Sequence, residues 1–205
     1  MSKIVILGIS GRVGSRIATE LLRRGRTVTG VARKTEGAPS QAGLTLKAAD
    51  ATSVDALVPL LRGQDAVISA TRFVGGSDAA TLIAATKKAG VPRLLVVGGA
   101  GSLEVAPGKA LIDTPDFPDA YKAEASAGGA MLQGLRAEKE LDWTFLSPSA
   151  LFMPGARTGK FRIGGDALLT DGNGKSWISM EDYAIAMAEE LETPSHSRRR
   201  FTVGY

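Results

Sequence analysis

At 205 residues the chain is long enough for one well-filled domain and short for two. It has no cysteine, which excludes disulfides, thiolate metal sites and a cysteine nucleophile, and its single histidine, His196, excludes a multi-histidine metal centre. With 44% hydrophobic and 22% charged residues and a net charge of +4, the composition is that of a globular protein; the Arg23-Arg24 pair and the Arg198-Arg199-Arg200 triplet lack the interleaved aromatic residues of a nucleic-acid surface.

The first stretch, Lys3 to Leu22, organises the rest. Ile4 to Leu7 is a continuous apolar run suited to a strand buried on both faces of a parallel sheet. Gly8-Ile9-Ser10-Gly11-Arg12-Val13-Gly14 follows, with a glycine at every third position. Val13, Ile17, Leu21 and Ala18, Leu22 then recur at helical spacing. A glycine turn between a buried strand and an amphipathic helix lets backbone approach a phosphate and aims the free N–H groups of the helix at it. In this context the motif predicts dinucleotide binding by Gly8, Ser10, Gly11, Arg12, Val13 and Gly14.

Further along, Arg26 to Val31 reads as the second strand, Leu44 to Ala49 as the third, and Thr52 or Ser53 caps a helix through Leu61. Asp65 to Ala70 is the fourth strand, Ser77 to Ala89 a helix, and Arg93 to Gly98 the fifth strand. This alternation predicts an α/β fold, a Rossmann-type doubly wound parallel sheet in a single domain covering 1–205. Gly99 to Pro118 reads as a long loop at the carboxyl end of the sheet, where ligands bind. A long helix is expected over Ala120 to Glu140 and a sixth strand over Asp142 to Ser147. Residues from about 148 to 205 supply small substrate-side elements. Asp171-Gly172-Asn173-Gly174 is expected to join two short strands, Ser179 to begin the last helix with Asp182 completing a capping box, and Phe201 to Tyr205 to return as an edge strand.

The residue about 20 positions after the glycine turn selects between NAD and NADP. It is Arg33, with no acid before Glu36, and Arg12 is near enough to be a second phosphate ligand, so NADP(H) is preferred over NAD(H). Lys3 leads straight into the first strand, leaving no room for a signal peptide, and no apolar run reaches the length of a membrane span. The expectation is a cytoplasmic protein, monomer or homodimer, acting on a small-molecule acceptor without nucleic-acid or membrane partners.

GISGRVG after the first strand, Asp50 after the third, Ser69-Ala70-Thr71 at the end of the fourth and VVGGAGS ending the fifth resemble the short-chain dehydrogenase/reductase superfamily. More narrowly, with LDWTFLSPSALFMPGARTGKF, ISMEDYAIA and RRFTVGY, the chain is similar over nearly its whole length to the atypical group of biliverdin reductase B and NADH-flavin reductases. The resemblance implies that Asp50 and Ala51 border the adenine and that Ala70 and Thr71 line the nicotinamide side; Gly98, in the fifth-strand motif, joins the expected cofactor residues.

Most of the superfamily uses a Tyr-x-x-x-Lys pair with a nearby serine, the lysine lowering the tyrosine pKa for acid–base work. Here Tyr121 and Ser102 are the candidates, but Ala125 stands where the lysine belongs, and Lys122 is displaced around the helix. Tyr121 is either an acid or a packing anchor for the start of its helix against the Gly99–Pro118 loop. The incomplete set favours hydride transfer to a flavin, flavin-like or quinone-like acceptor, which spreads the resulting charge over its rings and needs mainly positioning. Two alternatives stand beside it: an NADP(H)-binding redox sensor without turnover, and a sugar-nucleotide epimerase-like enzyme.

Overall fold

In the computed structural model, which describes residues 2–35 and 41–205, the alternating strands and helices wind a single sheet. The chain runs β1 (Lys3–Leu7), α1 (Arg12–Arg23), β2 (Thr27–Ala32), β3 (Leu44–Ala48), α2 (Val54–Leu61), β4 (Ala66–Ser69), α3 (Ala79–Ala89) and β5 (Arg93–Val97). It continues through β6 (Glu104–Ala106), β7 (Lys109–Ala110), α4 (Asp119–Ala137), β8 (Asp142–Ser147), β9 (Leu151–Met153), β10 (Arg162–Gly164), β11 (Trp177–Ser179), α5 (Met180–Glu192) and β12 (Arg199–Gly204). The eight-stranded sheet has the order β10-β12-β8-β5-β4-β1-β2-β3 and is parallel except for β10.

Each central strand is buried on both faces because a helical layer covers each face. Ile4 and Ile6 of β1 enter the core formed with Ile17 and Leu21 of α1 and Tyr183 and Met187 of α5. Their neighbours Val5 and Leu7 enter the other core, with Leu57 of α2, Leu82 of α3 and Leu132 of α4. This alternation is why the apolar run of β1 has no polar position between Ile4 and Leu7.

Two of the three glycines within α4, Gly128 and Gly134, are sites of close approach. A Cβ on Gly128 would stand 2.9 Å from the Phe73 ring, and Phe73 itself stacks on Phe145. α4 stops at Ala137, short of the expected Glu140, because the Glu138 carboxylate accepts the backbone N–H groups of Glu140 and Leu141 (2.6 and 3.0 Å).

Four expectations are corrected. The Gly99–Pro118 stretch is not bare loop: it holds the β6–β7 hairpin and a 3₁₀ turn, Leu111–Asp113. Asp171 to Gly174 does form a turn, with the Asp171 carboxylate accepting from Asn173 and Lys175 N–H, but it joins no hairpin. The flanking strands pair elsewhere, β10 with β12 and β11 with β9. β12 is not an edge strand, since β10 returns antiparallel and covers its outer side. Ser179 Oγ caps α5 by accepting the Asp182 N–H (3.0 Å), yet no capping box closes. The Asp182 carboxylate instead takes the N–H groups of Thr158 and Gly159 and the hydroxyls of Thr158 and Tyr205. Short-range spacing could not reveal these partners 23 and 24 positions away.

Candidate functional site: a dinucleotide cleft

A cleft of about 440 Å³ opens at the carboxyl ends of β1, β2 and β4. After β1 the chain crosses to β2 on one side, and later fills the other side with β4, so this is the switch point of the sheet, where open α/β sheets bind ligands. Gly8 turns the chain there with φ of +84°, and a Cβ on it would lie 2.6 Å from the Ala70 carbonyl oxygen. Its N–H is held by the Val31 carbonyl (2.8 Å). Gly11 begins α1, donating to the Gly8 carbonyl (3.0 Å), and Gly14 packs so closely behind the turn that a Cβ would fall on that same oxygen. The glycines therefore bring strand end, turn and helix start together with no side chain between them.

The start of α1 has neither a side-chain cap nor an acidic residue in its first turn. Its free N–H groups and the positive end of its dipole are left for an anionic ligand. Gly8, Ser10, Gly11, Arg33, Asp50, Ala51, Ala70 and Thr71, all expected from sequence, line the cleft together. Asp50 Oδ1 accepts the N–H and hydroxyl of Thr52 (2.9 and 2.8 Å). These hydrogen bonds, with a contribution from the Arg33 charge, hold its carboxyl below the usual aspartate range. A carboxylate and a guanidinium thus share one end of the cleft. A backbone cradle, an uncapped helix start and this charged end together fit a dinucleotide.

Val13, Gly14 and Gly98 lie behind the cleft wall. Val13 is half-buried against the core, and the Cα of Gly98 backs onto the Phe145 ring so tightly that a Cβ would overlap it. Arg12 is exposed at the first position of α1 and does not line the cleft. Glu36, the first acid after Arg33, lies outside the described residues. Sequence reasoning missed Val31, Ala32, Ala49 and Thr52, and the segment after β4, where Arg72, Val74, Gly75 and Gly76 complete the lining. The signal was there: a glycine pair directly after a central apolar strand.

Ser102 and Tyr121 do not line the cleft. Both the carbonyl and the hydroxyl of Ser102 face the Arg200 guanidinium (3.3 and 3.2 Å), which is buried and paired with Asp166. Burial lowers the Arg200 pKa and the Asp166 carboxylate opposes that shift. Tyr121 is 65% exposed, so its ring is not an anchor packed against the preceding loop. Lys122 pairs with Asp119 (2.6 Å), one turn back on the same helix. At the position of the expected lysine, Ala125 is pressed against Gly101: a Cβ on that glycine would come within 2.6 Å of the alanine methyl.

Among the described residues no helix is long and apolar enough to cross a membrane. Solved structures resemble the fold closely over the full chain. A "putative epimerase" from Bacteroides thetaiotaomicron has 44% identity and a TM-score of 0.94, covering 100% of this chain and 97% of its own. A "putative exported protein" from Burkholderia pseudomallei has 45% identity and a TM-score of 0.91, with both chains covered completely. A "putative NADH-flavin reductase" from Streptococcus pneumoniae TIGR4 has 31% identity and a TM-score of 0.87, covering 100% of this chain and 99% of its own. A family model described as NAD(P)H-binding matches residues 8–194, from the turning glycine of the cleft to just beyond α5. The chain belongs to this NAD(P)H-binding family.

Proposed function

We propose that the protein is an NADPH-dependent reductase that transfers hydride to a flavin or to a flavin-like or quinone-like acceptor. The observation that carries this reading is the close contact of Ala125 with Gly101. Where an alcohol dehydrogenase of this fold would hold its lysine, the helix instead packs against the loop after β5. Tyr121 therefore lacks the partner lysine one helical turn on that would make it an acid or base. An acceptor whose ring system absorbs the charge of the incoming hydride does not need that acid in the transition state.

The bound nicotinamide would supply the hydride. The work of the protein is then to hold and orient. Gly8, Gly11 and the start of α1 bind the pyrophosphate, Asp50 and Ala51 border the adenine, and Ala70 and Thr71 flank the nicotinamide end. Arg33, exposed at the end of β2, is placed to meet a 2′-phosphate, which favours NADP(H).

The acceptor side has a matching character. Val74, Tyr121, Leu151 and Met153 are among the few large apolar residues that are exposed, and all lie on segments leaving the carboxyl side of the sheet. Exposed apolar side chains on these segments suit a flat ring system. The Streptococcus pneumoniae relative's name points the same way. An epimerase must remove and return a proton, and the lost lysine counts against that chemistry.

The test is NADPH oxidation against a panel of flavins, quinones and small carbonyls, beside a direct binding titration. Turnover is expected with the ring acceptors and not with small carbonyls. Binding without oxidation of NADPH by any acceptor overturns the reductase reading in favour of a cofactor sensor.

A further inference from the structure

The segment Thr71–Gly76 after β4 forms one wall of the cleft, through Thr71, Arg72, Val74, Gly75 and Gly76. Its backbone is gripped by α4. The Glu124 carboxylate accepts two successive N–H groups, that of Phe73 on Oε1 (2.7 Å) and that of Val74 on Oε2 (3.1 Å). One turn further along the same helix, Gly128 makes room for the Phe73 ring, which would lie 2.9 Å from a Cβ at that position. Arg72 Nη2 lies 3.8 Å from the same carboxylate. A polar clamp and an apolar slot thus sit four residues apart on one helix face, both engaged by the Phe73–Val74 step.

We infer that Glu124 is a positioning residue for cofactor binding: it latches the Thr71–Gly76 wall onto α4 and so sets the width of the cleft. Both side-chain oxygens are used by backbone N–H donors, an arrangement that an amide of the same length cannot reproduce. Phe73 holds the segment sideways, and Glu124 fixes the direction of its peptide planes. α4, which lacks the lysine of the catalytic helix, serves here as the clasp that closes the cofactor site. The inference rests on the cleft being the NADPH site, not on the identity of the acceptor.

Glu124→Gln is the decisive variant, since it keeps the size of the side chain but replaces one acceptor oxygen with an NH₂ group that cannot accept. Amide hydrogen exchange and calorimetric titration with NADPH would be measured on the full chain. Exchange at Phe73 and Val74 should rise by about tenfold or more and the NADPH dissociation constant by about tenfold, as expected for losing a charge-assisted contact. The thermal midpoint and exchange in β1 should stay at wild-type values. Faster exchange at these amides with unchanged NADPH affinity would overturn the inference, leaving Glu124 a merely structural tie, and so would unchanged exchange. Gly128→Ala, which crowds the Phe73 slot, should weaken NADPH binding in the same direction; if it does not, the wall does not control the cleft. Wild-type protein that binds no NADPH would sink the cofactor reading itself, whereas tight binding without flavin turnover leaves the latch standing.

Discussion

The start of α1 and the start of α4 both come after a central strand, α1 directly through the glycine turn and α4 by way of the β6–β7 hairpin and a 3₁₀ turn, yet they do opposite things. At α1 the glycines clear side chains from the tightest points of the turn and leave backbone N–H groups uncapped. At α4 the side chains remain but are spent on packing and loop-holding: Ala125 against Gly101, Glu124 on the Phe73 and Val74 amides, Lys122 on Asp119. A binding role built from backbone survives as long as the glycines do. A catalytic role built from side chains is lost when one partner is replaced, and the helix takes other work.

The comparison breaks most sharply at Gly8. Gly8→Ala combines a left-handed φ with a Cβ 2.6 Å from a carbonyl oxygen, so the turn must open. Overpacking of this kind costs roughly 1–3 kcal/mol before strain is added, so NADPH affinity should fall by about 100-fold. Gly11→Ala, whose Cβ would sit 3.2 Å from the Gly8 oxygen, should lose distinctly less. Calorimetric titration of the two variants would order them; equal affinities would mean the turn does not shape the cleft.

Arg33→Glu tests the electrostatic end of the same cleft. Losing one charge-assisted contact to phosphate, worth roughly 1.5–3 kcal/mol, should weaken NADPH binding by an order of magnitude or more while NADH binding improves or holds. Equal loss for both cofactors would remove Arg33 from the 2′-phosphate.

At the start of α4 the expected effects are smaller. Tyr121→Phe should lower turnover only several-fold, because the exposed tyrosine lacks the partner lysine one helical turn on; a true general acid would cost about 10²–10⁴. A loss of that size would restore an acid–base role to Tyr121 and end the proposal. Gly129→Ala is expected to be the mildest change of all. Nothing lies within 4 Å of a Cβ there, so it should stabilise the helix by about 0.5–1 kcal/mol with NADPH affinity unchanged, as thermal unfolding would show.

Acid pH supplies a test away from both regions. Burial alone would raise the Asp182 pKa, but hydrogen bonds from Thr158, Gly159 and Tyr205 outweigh it and hold the carboxyl below the usual range. A carboxyl depressed in the folded state adds stability that is present above its unfolded value of about 3.9 and is lost as pH falls through the folded value. Asp182→Asn should therefore be less stable than wild type at neutral pH, and the two should converge in acid. A difference that persists unchanged at low pH would rule out the ionised form as the source.

Local patterning alone carries the parallel α/β alternation, the glycine turn and eight of the sixteen residues that line the cleft. These depend on contacts within one strand–turn–helix unit and on burial patterns that repeat every two or 3.6 residues. It also showed the missing lysine at Ala125. What only the tertiary structure decided were pairings between distant segments. β10 seals β12, so the last strand is internal; Asp182 is drawn from its expected capping box to Thr158 and Tyr205; and Ser102 is taken by Arg200. The segment after β4 became part of the cleft because α4, some fifty residues later, offers Glu124 to its amides. Local sequence specifies which backbone can turn or coil, whereas the partner of a buried polar group is chosen by whichever element the fold brings beside it.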